Sequence, residues 1–180
     1  MTNKTVHCLR DIHSDFIRTV VPFKQSTQNF ITGSLDKTAK LFDLRTGNQE
    51  TGIFEHGQPI SGAAIYNADT YLVTVGGKDI ATWDLRNQSE PLTRFSNNIK
   101  NITCVRVFEE ENRVLTSSID AHLKMYSLDN MELVHQMKFK APISSFDMTS
   151  DFSHLAMGHL DGTFTISKNS SKEKKVERLG

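Results

Sequence analysis

Apolar and polar positions alternate in short runs along this chain. Phe16, Ile17, Val20, Val21 and Phe23 make one apolar stretch, and Phe30 with Ile31 begin the next. Leu41 and Leu44 flank Phe42 in a third, and Ile53 with Phe54 mark a fourth. Thr, Val, Ile and aromatic residues fill the runs, while Gly, Asp, Asn and Ser interrupt them roughly every eight to twelve residues, the signature of short β-strands joined by turns. No stretch carries the i, i+3, i+4, i+7 spacing of an amphipathic helix. The pattern predicts an all-β chain.

The runs are organised by a repeat. FITGSLDKTAKLFDLR from Phe30, YLVTVGGKDIATWDLR from Tyr71, RVLTSSIDAHLKMYSL from Arg113 and HLAMGHLDGTFTIS from His154 share one design: an apolar run, a pair of small residues, a turn, then an alternating strand. Phe42 to Trp83 is 41 positions, Trp83 to Tyr126 is 43, and Asp36 to Asp120 is 84, twice 42. Four strands in about 42 residues make one blade of a β-propeller. The predicted blade units are 13–55, 56–97, 98–140 and 141–168 within a partial propeller over 1–168. Residues 5–12 are expected as the outer strand of a neighbouring blade, and 169–180 as a charged flexible tail. Seven blades turn by roughly 51° each and four by roughly 90°. The expectation is therefore an open arc of about four blades of four antiparallel strands, or part of a seven-bladed ring. Its end faces and strand edges would favour self-association.

Residues that recur at fixed places have structural roles. Asp36, Asp120 and Asp161 fall in the turn between second and third strands, where a short carboxylate accepts backbone N–H groups. His13 and His56 precede the first strands of their units, placed to bridge the turn and a second-strand hydroxyl, Thr32 or Thr74. Thr116 holds the same place in the third unit, without a histidine before it. Phe42, Trp83 and Tyr126 share one third-strand position, where a large ring fills space between blades. Asp43 and Asp84 follow two of them.

These residues resemble the WD40 family, whose repeat of about 40–45 residues ends in Trp-Asp. The family's Asp–His–Ser/Thr–Trp set is complete in no unit, so the blades are expected to rely more on apolar packing. The runs HSDFIRTV, TGSLDKTAKLFD, EHGQPI and VGGKDIATWD are similar to those of WD40 scaffold subunits of the nucleolar small-subunit processome, from about Thr5 to Lys172. The resemblance covers the later four blades of a seven-bladed ring. It implies a non-catalytic scaffold in the nucleolus, required for small-subunit pre-rRNA processing and ribosome biogenesis. Other processome protein subunits would be its partners, with the pre-rRNA or snoRNA particle met indirectly. The stretches Phe42-Asp43-Leu44-Arg45 and Trp83-Asp84-Leu85-Arg86 also fit the Trp-Asp-x-Arg pattern of substrate receptors for cullin-type ubiquitin ligases. That pattern makes Arg45 and Arg86 candidate partner contacts, and a ubiquitin-ligase receptor the alternative reading.

Charge and composition narrow the chemistry. Twenty-one basic and 21 acidic residues cancel, so there is no long-range field to draw in nucleic acid or an anionic membrane. Cys8 and Cys104 form neither a disulfide framework nor a zinc pattern and suit a reducing compartment. No apolar run approaches the ~18 residues of a membrane span. Gly76-Gly77-Lys78 lacks the earlier Gly and following Ser/Thr of a phosphate loop and reads as a tight strand connection. The 7 histidines include no metal-ligand spacing, and His154 and His159 read as surface or turn residues. No nucleophile elbow is present, so no catalytic residue, cofactor or small-molecule substrate is expected. Glu109, Glu110 and Glu111 read as a solvated acidic loop. Lys168, Lys172, Lys174, Lys175 and Arg178 make the tail basic against Glu173 and Glu177.

Overall fold

Fifteen strands form in the order in which the apolar runs occur, and the computed structural model describes residues 8–168 apart from Asn48 and Ser89. The first sheet holds β1 (Ile17–Pro22), β2 (Asn29–Ser34), β3 (Thr38–Asp43) and β4 (Glu50–Glu55). The second holds β5 (Ile60–Tyr66), β6 (Tyr71–Gly76), β7 (Asp79–Asp84) and β8 (Thr93–Ser96). The third holds β9 (Ile102–Phe108), β10 (Arg113–Ser118), β11 (His122–Ser127) and β12 (Leu133–Lys138). The last has three strands, β13 (Ile143–Met148), β14 (His154–His159) and β15 (Phe164–Lys168). Every sheet is an antiparallel meander in chain order, which short turns between consecutive strands permit. No helix occurs among the described residues.

The first strands β1, β5, β9 and β13 lie against one another in succession, so the sheets fan around a shared line and pack face to face. Three apolar cores fill the spaces between them. Ile31, Ala39 and Phe54 of the first sheet meet Ile60, Ala63, Leu72 and Trp83 of the second. Val73, Val75 and Ile80 meet Ile102, Val105, Val114 and Tyr126. Leu115 and Leu123 meet Ile143, Phe146, Leu155 and Met157. Alternation along each strand sends successive side chains to opposite faces, so one interior sheet feeds two cores. Each Val, Leu, Ile, Phe or Met side chain among them contributes about 1.5–3 kcal/mol when fully buried.

A β-bulge recurs in the first strand of all four sheets. The ladder skips Arg18, Ser61, Thr103 and Ser144, and a bulge re-aims the side chain it carries. Ser61 uses this to donate its hydroxyl to the carbonyl of Ile102 at 2.7 Å, and Thr103 does the same to Ile143 at 2.9 Å. The hydroxyls sew β5 to β9 and β9 to β13.

One expected element does not form. Residues 8–12 carry no strand, while residues 5–7 of that expected strand lie outside the described residues. A strand persists only where its backbone finds a ladder partner, and among the described residues no strand pairs with this segment. The expected charged tail, 169–180, also lies outside the described residues.

Candidate functional site

The turns between second and third strands share one backbone device. Asp36, Asp120 and Asp161 each accept, through Oδ1, the N–H of the residue two further on, at 3.0 Å in all three cases (Thr38, His122 and Thr163). The residue between is left-handed: Lys37 at φ 76°, Ala121 at 64° and Gly162 at 83°. Gly77, φ 55°, holds this place in the shortened second turn. A Cβ on the preceding Gly76 would stand 2.4 Å from the Pro59 carbonyl oxygen, so the tight connection requires glycine.

In the first unit His13 joins this turn. Its Nδ1–H donates to Asp36 Oδ2 at 2.7 Å, which leaves Nε2 to accept from the Thr32 hydroxyl at 2.7 Å. The Thr38 hydroxyl and the Ser14 N–H also reach the carboxylate, at 2.7 and 3.1 Å. Burial opposes the charge on Asp36, but the Thr38 hydrogen bonds, with those from His13 and Ser14, outweigh it and hold the carboxyl at about 2. Phe42 has no polar atom to add and stacks on Phe30 instead, with centroids 5.3 Å apart.

The second unit solves the same problem with the ring turned over. Trp83 Nε1–H donates to Thr74 Oγ1 at 2.8 Å, and the Thr74 hydroxyl donates to His56 Nδ1 at 2.9 Å. His56 Nε2–H closes the chain on the carbonyl of Gly76 at 3.3 Å. The shortened turn brings a carbonyl where the first unit has a carboxylate. Burial pushes the His56 imidazole below its ordinary value, against the pull of the Gly76 carbonyl, and every bond in this relay is satisfied by the neutral ring.

The third unit places Asn98 where the others have histidine. Its neighbour Ile99 donates to Asp120 as Ser14 does to Asp36. Asn98, Thr116 and Tyr126 converge in the interior, yet the amide of Asn98 and the two hydroxyls remain buried without hydrogen-bond partners. Burial raises the Tyr126 hydroxyl to about 12. In the last unit His159 is buried rather than at the surface. Its ring nitrogens lie 3.2 Å from the Ala141 carbonyl and 3.0 Å from Thr165 Oγ1.

The arginines after the third strands are held at the rim. Arg45 Nη2 lies 2.6 Å from Asp43 Oδ2, and Arg86 Nη2 lies 2.6 Å from Asp84 Oδ2. Each Asp also accepts the backbone N–H of its arginine at 2.9 Å. The arginine hydrogen bonds hold both carboxyls at about 2. The guanidiniums stay exposed, at 71 and 70 per cent, so both present a fixed cation to solvent.

Glu109 is not a free member of an acidic loop. One oxygen meets Lys24 Nζ at 2.5 Å, and the other accepts the N–H of Asn67 at 2.7 Å. Asp69 in turn accepts the N–H groups of Lys24 and Gln25, at 3.0 and 2.6 Å. Loops of three sheets are thereby tied together. Beside them a groove of about 630 Å³ runs between the second and third sheets, lined by Tyr66, Tyr71, Glu109, Leu128 and Met131. Among the described residues, no three His, Cys, Asp or Glu side chains group as a metal site, and no helix is long and apolar enough to cross a membrane.

Meanders of three or four strands fanned around one line, sewn by hydroxyls and closed by Asp turns, define the class: a WD40-repeat β-propeller protein whose described sheets do not close into a ring. The family model for the WD domain, G-beta repeat, matches residues 3–43. The fold is similar to that in the crystal structure of the WD40 beta propeller domain of Doa1, with a TM-score of 0.78 at 19% identity, covering 89% of this chain and 53% of that one. In sequence the chain is similar to U3 small nucleolar RNA-associated protein 15 homolog. It is 32% identical to the Bos taurus protein over 163 residues, 91% of this chain and 31% of that protein. It is 34% identical to the Danio rerio protein over 167 residues, covering 93% of this chain and 32% of that one. The Schizosaccharomyces pombe U3 small nucleolar RNA-associated protein 15 is 31% identical over 186 residues, covering 80% of this chain and 37% of that one. The chain spans about a third of the length of these curated relatives.

Proposed function

We propose that this chain acts as a non-catalytic WD40 scaffold in the small-subunit processome of the nucleolus, supporting small-subunit pre-rRNA processing and ribosome biogenesis. One observation carries the reading: identity above 30% to U3 small nucleolar RNA-associated protein 15 relatives extends over 91% of the chain in the Bos taurus case. It therefore runs through all four sheets rather than through one motif. Rigid sheets hold their loops at fixed positions, so several protein partners can be bound at once. The chemistry of the rim suits this role. Arg45 and Arg86 present oriented cations, and their carboxylate partners reduce the entropy lost when a partner's acidic group is engaged. Protein subunits of the particle are the direct partners, and the pre-rRNA or snoRNA is reached through them.

Affinity capture of the tagged chain from nucleolar extract, read by RNA and protein composition, tests the proposal. Co-recovery of U3 snoRNA, pre-rRNA and processome subunits is the expected outcome. A nucleolar extract that yields none of them, or a chain excluded from nucleoli, overturns it.

A further inference from the structure

The second sheet is built short at one place. β4 and β12 pair with their third strands as far as the aromatic position, Phe42 with Glu50 and Tyr126 with Leu133. β8 has only 4 residues, and its ladder on β7 stops before Trp83, at Thr82 with Thr93. Leu92, just ahead of β8, still donates its N–H to the Thr82 carbonyl at 2.8 Å, but the residue stands 57 per cent exposed. Thr82, Leu92 and Thr93 therefore line the groove of about 630 Å³ instead of lying within a longer ladder. Thr93 and Met131 also line a second hollow, of about 530 Å³, that reaches Leu133, 42 per cent exposed. The two make one continuous trough between the second and third sheets.

Apolar and acidic side chains share its lining. Leu92, Leu128 and Met131 supply apolar surface, and Glu109, Asp129 and Glu132 supply carboxylates. The arginines at its borders are engaged. Arg86 pairs with Asp84 and lies 6.0 Å from the centroid of the Tyr71 ring, while Arg94 lies 5.8 Å from that of Trp83 and donates to the Glu55 carbonyl at 2.8 Å. Lys24, from the turn after β1, already seats its ammonium on Glu109, so the chain itself places one cation at this wall. Asp129 has room for another: Oδ2 accepts from the Asn112 amide at 2.5 Å, and Oδ1 accepts no hydrogen bond among the described residues. Tyr66, 8 per cent exposed, lines the same groove, and its hydroxyl has no hydrogen-bond partner among the described residues. Burial pushes that hydroxyl up to about 12, so it stays neutral and can accept from a bound N–H. A mostly buried hydroxyl without a partner is a cost that such a donor removes.

We infer that this groove receives a short segment of a partner protein that carries lysine or arginine beside apolar side chains. The apolar side chains lie on Leu92, Leu128 and Met131, and the cation meets Asp129 and the Tyr66 hydroxyl. Charge and apolar surface together select the occupant. The carboxylates repel an acidic peptide or a nucleic-acid phosphate, and the apolar lining favours a segment that buries surface over one that is only basic. A lysine or arginine stem covers apolar surface while its head reaches a carboxylate. The inference does not rest on the proposed nucleolar role, and its test uses synthetic peptides where that role is tested by capture.

Fluorescence anisotropy of labelled peptides against the full chain tests it. The probes are short peptides alternating leucine with arginine, leucine with glutamate, and serine with arginine. The leucine–arginine peptide is expected to bind about tenfold more tightly than either of the others, a factor worth ~1.4 kcal/mol. The double variant Leu92→Ser/Asp129→Asn, at two exposed positions, weakens it by about the same factor and melts with the unsubstituted chain. The conservative pair Leu92→Met/Asp129→Glu retains the affinity. No binding of the leucine–arginine peptide overturns the inference. So does equal binding of the leucine–glutamate or the serine–arginine peptide, or binding that Leu92→Ser/Asp129→Asn leaves unchanged.

Discussion

Trp83 donates its indole N–H to Thr74 Oγ1 at 2.8 Å, and the same hydroxyl serves His56 Nδ1 at 2.9 Å. One hydroxyl thus satisfies two rings that are 2 and 0 per cent exposed. Thr74→Val keeps the shape and removes both partners. A buried polar group left unpaired costs roughly 1–3 kcal/mol, so the variant is expected to lose about 2–5 kcal/mol in urea denaturation followed by circular dichroism. A loss below about 0.5 kcal/mol would show that the relay does not stabilise the sheet.

Tyr126 stands at the same strand position with its hydroxyl buried and unpartnered. Removing an unsatisfied hydroxyl while keeping the ring lifts a desolvation penalty. Tyr126→Phe is therefore expected to leave the denaturation midpoint unchanged or raise it, whereas Trp83→Phe lowers it. The two midpoints, measured side by side, decide whether the third unit runs on packing alone.

The turns carry a strain that glycine would relieve. Lys37 and Ala121 sit at φ 76° and 64°, where a Cβ costs roughly 1 kcal/mol or more. Lys37→Gly and Ala121→Gly should each raise stability by about 0.5–1 kcal/mol, since the gain in the turn exceeds the added freedom of the unfolded chain. Thermal melting of both variants checks this. A lowered melting temperature in either would contradict the assigned turn geometry.

Stability should fall with acid in two windows. His56 is held below its ordinary 6.5 by burial, so its contribution is complete above that value and is lost as pH falls through the lowered folded value. Asp36, whose ordinary value is 3.8, is held at about 2. Its contribution is complete above 3.8 and is lost as pH falls through about 2. Denaturation midpoints taken from about pH 7.5 downwards should show both declines, and His56→Gln should flatten only the upper one. A first decline that persists in the variant would assign it to another group.

Arg45 and Arg86 separate folding from partner contact. Exposed ion pairs contribute about 0–1 kcal/mol, so Arg45→Ala/Arg86→Ala should melt within a few degrees of the unsubstituted chain. Recovery of U3 snoRNA and processome proteins should fall several-fold if these cations meet partners. Unchanged recovery would place the contact elsewhere on the rim.

Much of the architecture can be read from spacing alone. The 41-position step from Phe42 to Trp83 marks equivalent buried places, because a repeated sheet needs a large ring at each joint. Asn98 was not legible, since an amide in place of an imidazole shares no motif and shows itself only through the Ile99–Asp120 contact. Nor were Ser61 and Thr103, whose function comes from a bulge, a feature of pairing that no single strand displays. His56 was legible as a bridge to Thr74, but the acceptor of its own N–H is a backbone carbonyl, and carbonyls leave no mark in a sequence. Glu109 looked like one of three equivalent acids. Only the approach of Lys24 and Asn67 from other sheets distinguishes it.

That carboxylate has a mechanical consequence. Because Glu109 grips loops rooted in two other sheets, these loops cannot flex one at a time. A partner pulling on any of the three would load them together, and the groove beside Tyr66 and Tyr71 would widen or narrow as one piece.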